Sequence, residues 1–243
     1  MAAVRHLLSE NKMYIKIIKL DTVDSTNNYA SRIALSGAKE ITVVRARSQS
    51  SGKGRMGKSW MSAPDCGVYV SFLLKPKNSL EEIYYLPLIS ALAVARLLKN
   101  ILDLTHKGHK KNREENKSEV KIKLPNDIII NGKKVAGILV EAKTTGKSLN
   151  FAIVGIGINV NSQKQELPGM ATSLLLETKQ RYDTEEIFTK LIKEMISMYA
   201  DFKKGKINIL LEEVLDYQHG GSVTEIVEIF NKKKETEEVV HFV

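Results

Sequence analysis

The sequence holds one cysteine, Cys66, so no internal disulfide can form. Its five histidines, His6, His106, His109, His219 and His241, do not group with acids or with that cysteine at metal-ligand spacing. No run of eighteen apolar residues occurs, so no membrane span is expected. The opening residues MAAVRHLLSENK lack the apolar core and small-residue cleavage site of a signal peptide. There is no internal repeat and no Ser/His or Cys/His constellation for covalent nucleophilic catalysis. These absences predict a cytoplasmic chain without a structural metal.

What is present is a chain of 243 residues, 43% of them hydrophobic, enough for one good core or one core with a small appendage. The formal charge is +9, from 37 basic and 28 acidic residues. A positive balance serves solubility and also suits nucleic acid, a membrane surface or phosphorylated small molecules. Most of the chain mixes both signs, but residues 41–64 carry Arg45, Arg47, Lys53, Arg55 and Lys58 and no acid. That glycine-rich, uncompensated stretch is a candidate anion site.

Alternating apolar residues predict strands over 14–20, 41–46, 67–74, 120–124, 127–131, 134–142 and 149–158. Asp24, Ser25 and Thr26 offer N-caps for a helix over 26–36, ended by Gly37. Helical periodicity marks 80–102, with Pro87 near its start, and then 183–204 and 207–217. Asn131-Gly132 tolerates positive φ at both positions and predicts a type I′ hairpin. Residues 103–119 are polar and basic and read as a mobile surface connection; 221–243 reads as two short strands around a lysine-rich turn. Strands come before 160 and helices lie at the flanks and after, which predicts an α+β fold with a mixed, largely antiparallel sheet packed on helices.

Residues 52–59, GKGRMGKS, satisfy both GxxxxGK[ST] and GxGxxG. Either pattern holds phosphate only where its last glycine opens a helix. Here WMSAPDCG follows, and Pro64 and Gly67 deny a long helix. A better reading is a loop whose glycines allow close backbone approach, with Lys53, Arg55 and Lys58 for carboxylate and phosphates. Such a loop can be mobile when empty and fold over an anionic ligand. Trp60 adds an apolar wall or an aromatic face.

A second constellation is KIKLPNDIIINGKKVAGILVE at 121–141. Pro125 interrupts strand pairing, Asn126 offers donors and acceptors, and Asp127 can orient a lysine or hold magnesium. The hairpin returns Lys133 and Lys134 toward that edge, one of them a candidate inward lysine beside a phosphate, and Gly137 permits close approach. A third is GIGINV at 155–160. Gly155 and Gly157 leave two bare Cα atoms on one strand face, with Asn159 on the same face, room for a flat ligand or another backbone.

In order, DSTN, GKGRMGKSW, KLPND, KVAGILVE and GIGINV resemble the signature of the biotin–protein ligase family over about residues 14–204. The resemblance implies a class II synthetase-like catalytic domain over 1–217, with 218–243 a reduced or truncated C-terminal β domain. It implies ATP and magnesium, biotin as substrate, and transfer of biotin from biotinyl-5′-AMP to a lysine of a biotin carboxyl carrier protein. Ser25, Thr26, Asn27 and Gln49 are implied on the biotin side, the ureido end lying on Ser25, Thr26 and Gln49. Gly52, Lys53, Gly54, Arg55, Lys134, Gly137 and Gly157 complete that side. Arg55, Met56, Gly57, Trp60, Lys123, Asn126, Asp127, Lys134 and Asn159 are implied around ATP. Lys134, Arg55 and Asp127 are implied to carry the chemistry, with Asp127 also implied as the magnesium ligand.

Within the quoted motifs this sequence departs from the family pattern in two places. Lys53 stands where arginine is usual, keeping charge but losing the planar fork, which predicts weaker retention of the adenylate. Leu124 replaces a tryptophan. Many relatives dimerise through sheet edges, so a homodimer is expected; DNA is not. Rival readings are a lipoate-type acyl-adenylate ligase, a basic nucleic-acid-binding protein with salt-sensitive affinity, and an inactive biotin-binding or dimerisation remnant.

Overall fold

The computed structural model of the protein describes residues 2–8, 13–76, 82–107, 118–145 and 148–218. In chain order these form β1 (Ala2–Leu8), β2 (Met13–Val23), α1 (Thr26–Leu35), β3 (Thr42–Gln49), β4 (Gly67–Leu74) and α2 (Glu82–Lys107). Then come β5 (Val120–Lys123), β6 (Asp127–Ile130), β7 (Lys133–Thr145), β8 (Ser148–Asn159), α3 (Leu174–Thr178), α4 (Thr184–Lys203) and α5 (Ile207–Asp216).

The strands make one eight-stranded sheet in the order β1-β2-β3-β4-β8-β7-β6-β5. Only β2 and β3 pair in parallel, joined over the sheet by α1; the other neighbours are antiparallel. The expected mixed, largely antiparallel α+β sheet is what forms. β1 was not anticipated: AAVRHLL pairs with β2 along its whole length.

Period-two alternation gives the central strands two different faces. Val68, Val70, Phe72 and Leu74 of β4, and Ala152, Val154, Ile156 and Ile158 of β8, point to the face covered by α2, α4 and α5, where the main core lies. The opposite face carries Leu73, Phe151 and Ile153, which pack on Ala30 and Ala34 of α1. Among the described residues no helix lies over this second face beyond α1, and there the alternate positions are Ser71, Gly155, Gly157 and Gly137. The small side chains leave a hollow.

Several boundaries move. α2 runs to Lys107, into the stretch expected to be a mobile connection; 108–117 lies outside the described residues. Within α2, Ile83–Thr105 is long and apolar enough to cross a bilayer, although no single run of eighteen apolar residues exists. It instead lies against the sheet and α4, 78% buried over its most apolar window. The short α3 was not expected. The reading of 221–243 as strands falls outside the described residues, and so does nearly all of the expected second domain.

The Asn131-Gly132 hairpin forms as expected, with φ of 50° and 77°. Ser25 is the N-cap of α1, but its side chain makes no capping bond. Gln49 Oε1 from the end of β3 accepts the Thr26 amide at 2.8 Å instead, so a neighbouring strand satisfies a helix donor that sequence reading gave to a local cap. Asp24 accepts from Arg32 and Asn28 across the first turns of α1. The Arg32 guanidinium holds its carboxyl far below the usual range.

Candidate active site

The loop after β3 is a tight hairpin. Trp60 N donates to Gly52 O at 2.8 Å, Gly54 N to Lys58 O at 2.6 Å, and Gln49 N to Ser62 O at 3.2 Å. A single 3₁₀ turn, Arg55–Gly57, closes it, with Met56 and Gly57 at φ of 54° and 70°. Extended residues follow, so no helix N-terminus is offered to a phosphate, and the two phosphate-loop patterns are coincidental. Gly52 is required by the hairpin itself: a Cβ there would meet Trp60 O at 2.4 Å.

The cations of 41–64 are less uncompensated than their sequence suggests. Arg45 is buried and paired with Glu185 of α4, and Arg47 is paired with Asp21 and Asp65. Those two arginines join elements and take no part in the hollow. Lys53 pairs with Glu141 of β7 at 3.2 Å. Arg55 Nη1 donates to Asn126 Oδ1 at 2.6 Å, bringing the glycine loop onto the PND turn. Asn126 is held in turn by β7, its Nδ2 donating to Ile138 O at 3.1 Å.

Strand register assembles the floor. Tyr69, Gly157, Gly137 and Asp127 form one row across β4, β8, β7 and β6; Ser71, Gly155 and Leu139 form the next. The bare Cα atoms of the first row accept the indole of Trp60. A Cβ at Gly157 would lie 2.4 Å from its ring and one at Gly137 2.9 Å away. The flat group expected against the glycines of β8 is thus this protein's own tryptophan. In the second row, a Cβ on Gly155 would lie 2.2 Å from Asn27 Oδ1.

A β-bulge between β6 and β7 decides which lysine faces the site. Val135 and Ala136 are both fully buried in the main core, where strict alternation would send only one of them. The inserted residue turns Lys134 to the hollow and leaves Lys133 to pair outward with Glu177. Lys134 Nζ lies 2.6 Å from Asp127 Oδ1 and 5.4 Å from the centre of the Trp60 ring. Asp127 Oδ1 is buried and accepts no aligned hydrogen bond among the described residues, so the contact with Nζ is one of charge.

Two adjoining hollows result, of about 450 and 970 Å³ counting their open mouths. The first has a polar end. Thr26 Oγ1 donates to Gln49 Oε1, Gln49 Nε2 to Ser62, Ser71 Oγ to Asn27 Oδ1 while lying 2.8 Å from Thr26 Oγ1, and Asn27 Nδ2 to Glu141 at 2.7 Å. The second is bounded by Met56, Lys58, Met61, Asp127, Asn159 and the 167–171 segment. Gly54, Arg55, Trp60, Asn126 and Lys134 line both and stand where they meet. Trp60 Nε1 is buried there without a hydrogen-bond partner among the described residues.

Of the residues singled out in the sequence, Ser25, Thr26, Asn27, Gln49, Lys53, Gly54, Arg55, Gly137 and Gly157 come together at the first hollow. Met56, Trp60, Asn126, Asp127, Lys134 and Asn159 come together at the second. Gly52 and Gly57 shape the loop without lining either hollow. Lys123 pairs in register with Asp127 but is exposed and lines neither. Asn159 lines its hollow while its Nδ2 is engaged with Thr172 O at 3.0 Å. Sequence reading missed Ser71 and Glu141. A lone serine within VYVSFLL, and the acid closing KVAGILVE, were the available signals.

The arrangement matches a known family along residues 20–159, more than half of the chain: the biotin/lipoate A/B protein ligase family. The chain belongs to that family. The bifunctional ligase/repressor BirA of Bacillus subtilis is 32% identical over 203 residues, which cover 82% of this chain and 58% of that protein. The biotin–[acetyl-CoA-carboxylase] ligase of Paracoccus denitrificans is 34% identical over 143 residues, 58% of this chain and 53% of that one. The structure of the biotin protein ligase of Aquifex aeolicus, in complex with biotin and ATP, superposes with a TM-score of 0.66 at 30% identity, over 83% of this chain and 78% of that one. This biotin/lipoate ligase-family chain therefore spans a little over half the length of those two curated relatives. The stretch matched by the family, 20–159, contains the glycine loop and the lysine hairpin.

Proposed function

We propose that the chain is a biotin–protein ligase, which forms biotinyl-5′-AMP from biotin and ATP and passes the biotin to a lysine of a carboxylase carrier protein. The observation that supports this best is the convergence of Arg55 and Lys134 at the junction of the two hollows. A ligase of this kind must bring two anions together. A biotin carboxylate oxygen attacks the α-phosphorus, the bond to the β-phosphate oxygen breaks, and pyrophosphate leaves. Cations aimed at the developing charge lower that barrier most. Arg55 and Lys134 supply them, Asn126 orienting the one and Asp127 the other.

Biotin is favoured over lipoate by the polar end of the first hollow. Thr26, Asn27 and Gln49 offer the donors and acceptors that a ureido ring needs and a dithiolane cannot use, with Ser71 buried behind them. Burying such groups opposite an apolar ring is costly. The nucleotide belongs in the second hollow, where Arg55, Lys58 and Lys134 gather positive charge for its phosphates. Magnesium enters with ATP as a substrate; one carboxylate together with phosphates is a common way of holding it, and Asp127 suits that role.

In the second step the deprotonated amine of the carrier lysine attacks the acyl carbon and AMP departs. No enzyme nucleophile is needed. The test is pyrophosphate release and transfer of labelled biotin, with ATP, magnesium and a carrier domain, for the native chain and Lys134→Ala. Transfer by the native chain, and a loss of at least about tenfold in the variant, roughly 1.4 kcal/mol in the barrier, are expected. Octanoate or lipoate supporting pyrophosphate release in place of biotin would overturn the substrate assignment.

A further inference from the structure

The catalytic hairpin is clamped from outside the site. Backbone bonds fasten Lys134 to the segment before α3: its amide donates to Met170 O at 3.1 Å, and Thr172 N donates to Lys134 O at 2.8 Å. The side chain of Glu177, on α3, is only 8% exposed. One of its oxygens accepts from Thr172 Oγ1 at 2.6 Å and lies 3.4 Å from Lys133 Nζ; the other accepts from Asn131 Nδ2 at 2.9 Å. A single carboxylate thus grips the turn of the β6–β7 hairpin, the residue before Lys134, and the strand-like segment bonded to Lys134 itself. α3 is in turn fixed to the sheet, since Leu175 N donates to Val160 O at 2.9 Å and Ser173 Oγ to Ser162 O at 2.7 Å.

The need for such a clamp follows from the bulge. Irregular pairing loosens a ladder locally and lets a side chain be re-aimed. Between Ile128 and Ile129 the β6–β7 register slips by one, and this slip is what points Lys134 inward. Lys134 is only two residues from the hairpin turn, where a register change is least costly. Loss of the slip would return Lys133 to the site face. Burial opposes ionisation of Glu177, but its hydrogen bonds from Thr172 and Asn131 and the charge of Lys133 prevail and hold its carboxyl below the usual range. It is therefore an anion at neutral pH, the form that accepts from all three partners.

We propose that Glu177 is a positioning residue for Lys134: it locks the bulged register of the β6–β7 hairpin and so sets the height of the lysine over the junction of the two hollows. It touches neither hollow itself. The inference rests on the reading of Lys134 as the cation of the adenylation step, and deepens it by adding a residue that acts through Lys134.

The test compares the full chain with Glu177→Ala, Glu177→Gln and Thr172→Val in two measurements. Amide hydrogen exchange is followed at Lys134 and Thr172, with Val154 in the centre of the sheet as the control. Biotin-dependent pyrophosphate release gives kcat and KM. In Glu177→Ala, exchange at Lys134 and Thr172 speeds up by at least about tenfold with Val154 unchanged; kcat falls by about tenfold, and both KM values stay within about twofold. Glu177→Gln, which keeps one acceptor oxygen, recovers most of both. Thr172→Val, which removes one bond without changing shape, moves both in the same direction by less and covers the case in which Glu177→Ala does not fold. Native-like exchange at Lys134 in the variants, or a raised KM with kcat intact, would overturn the proposal. If the native chain releases no biotin-dependent pyrophosphate, the ligase reading falls, while faster exchange at Lys134 still upholds the clamp.

Discussion

Trp60 packs against Gly157 so closely that a Cβ at that glycine would fall 2.4 Å from the indole ring. A loop residue and a strand residue nearly a hundred positions apart are thereby made into one surface. Gly157→Ala should drive the indole off the sheet, at an overpacking cost of about 1–3 kcal/mol. Because Trp60 is the one tryptophan, its fluorescence reports this directly. A red-shifted emission and weaker nucleotide binding are expected; an unchanged spectrum would show that the stacking is not tight.

Asn27 and Gly155 form a comparable pair at the other end of the floor. Asn27 is 3% exposed, and a Cβ on Gly155 would lie 2.2 Å from its Oδ1. Gly155→Ala should push Asn27 away from Ser71 and Glu141 and leave buried polar groups unpaired, at about 1–3 kcal/mol. Titration calorimetry with biotin should show affinity lowered by about tenfold or more. ATP binding in the second hollow should change little.

The Lys53–Glu141 pair ties the glycine loop to β7, and both side chains are partly exposed, 41% and 34%. A pair in that setting contributes only about 0.2–1 kcal/mol. Glu141→Ala or Lys53→Ala should therefore shorten the residence of the bound adenylate by no more than about fivefold, measured by its dissociation rate. Lys53→Arg, which restores a planar fork, should lengthen it. A hundredfold effect of Lys53→Ala would mean that Lys53 contacts the ligand rather than the loop's anchor.

Acid should loosen the hairpin before the sheet. The folded Glu177 carboxyl is held below its ordinary value of 4.5. Its stabilisation is thus complete above that value and is lost as pH falls further, through the lower folded value. Lys134 and Thr172 amide exchange, corrected for the intrinsic pH dependence, should accelerate on acidification in the native chain. In Glu177→Gln this acid-dependent component should be missing.

Much of the site was legible because its parts are local. The Asn131-Gly132 turn needs positive φ at two successive residues, and few dipeptides allow that, so the hairpin could be read directly. The polar cluster Asp24 to Asn27, the glycine loop and the PND turn each stood out against apolar strands. Glu141 and Ser71 did not, because a single polar residue on a strand has meaning only once the opposite residues are known. Arg45 and Arg47 misled for the same reason: their acidic partners, Glu185, Asp65 and Asp21, lie mostly in distant parts of the chain.

Composition and periodicity by themselves determined the fold class, the strand faces and the bare positions Gly137, Gly155 and Gly157, because the alternation of a strand is a property of its own backbone. They could not determine which lysine faces the site. Counting back by two from Gly137 selects Val135 and Lys133, and that count fails because β6 and β7 slip by one at the bulge. The slip exists only as a relation between two paired strands. It places Val135 and Ala136 together in the core, where their burial stabilises it, and gives Lys134 to Asp127, Trp60 and the hollow.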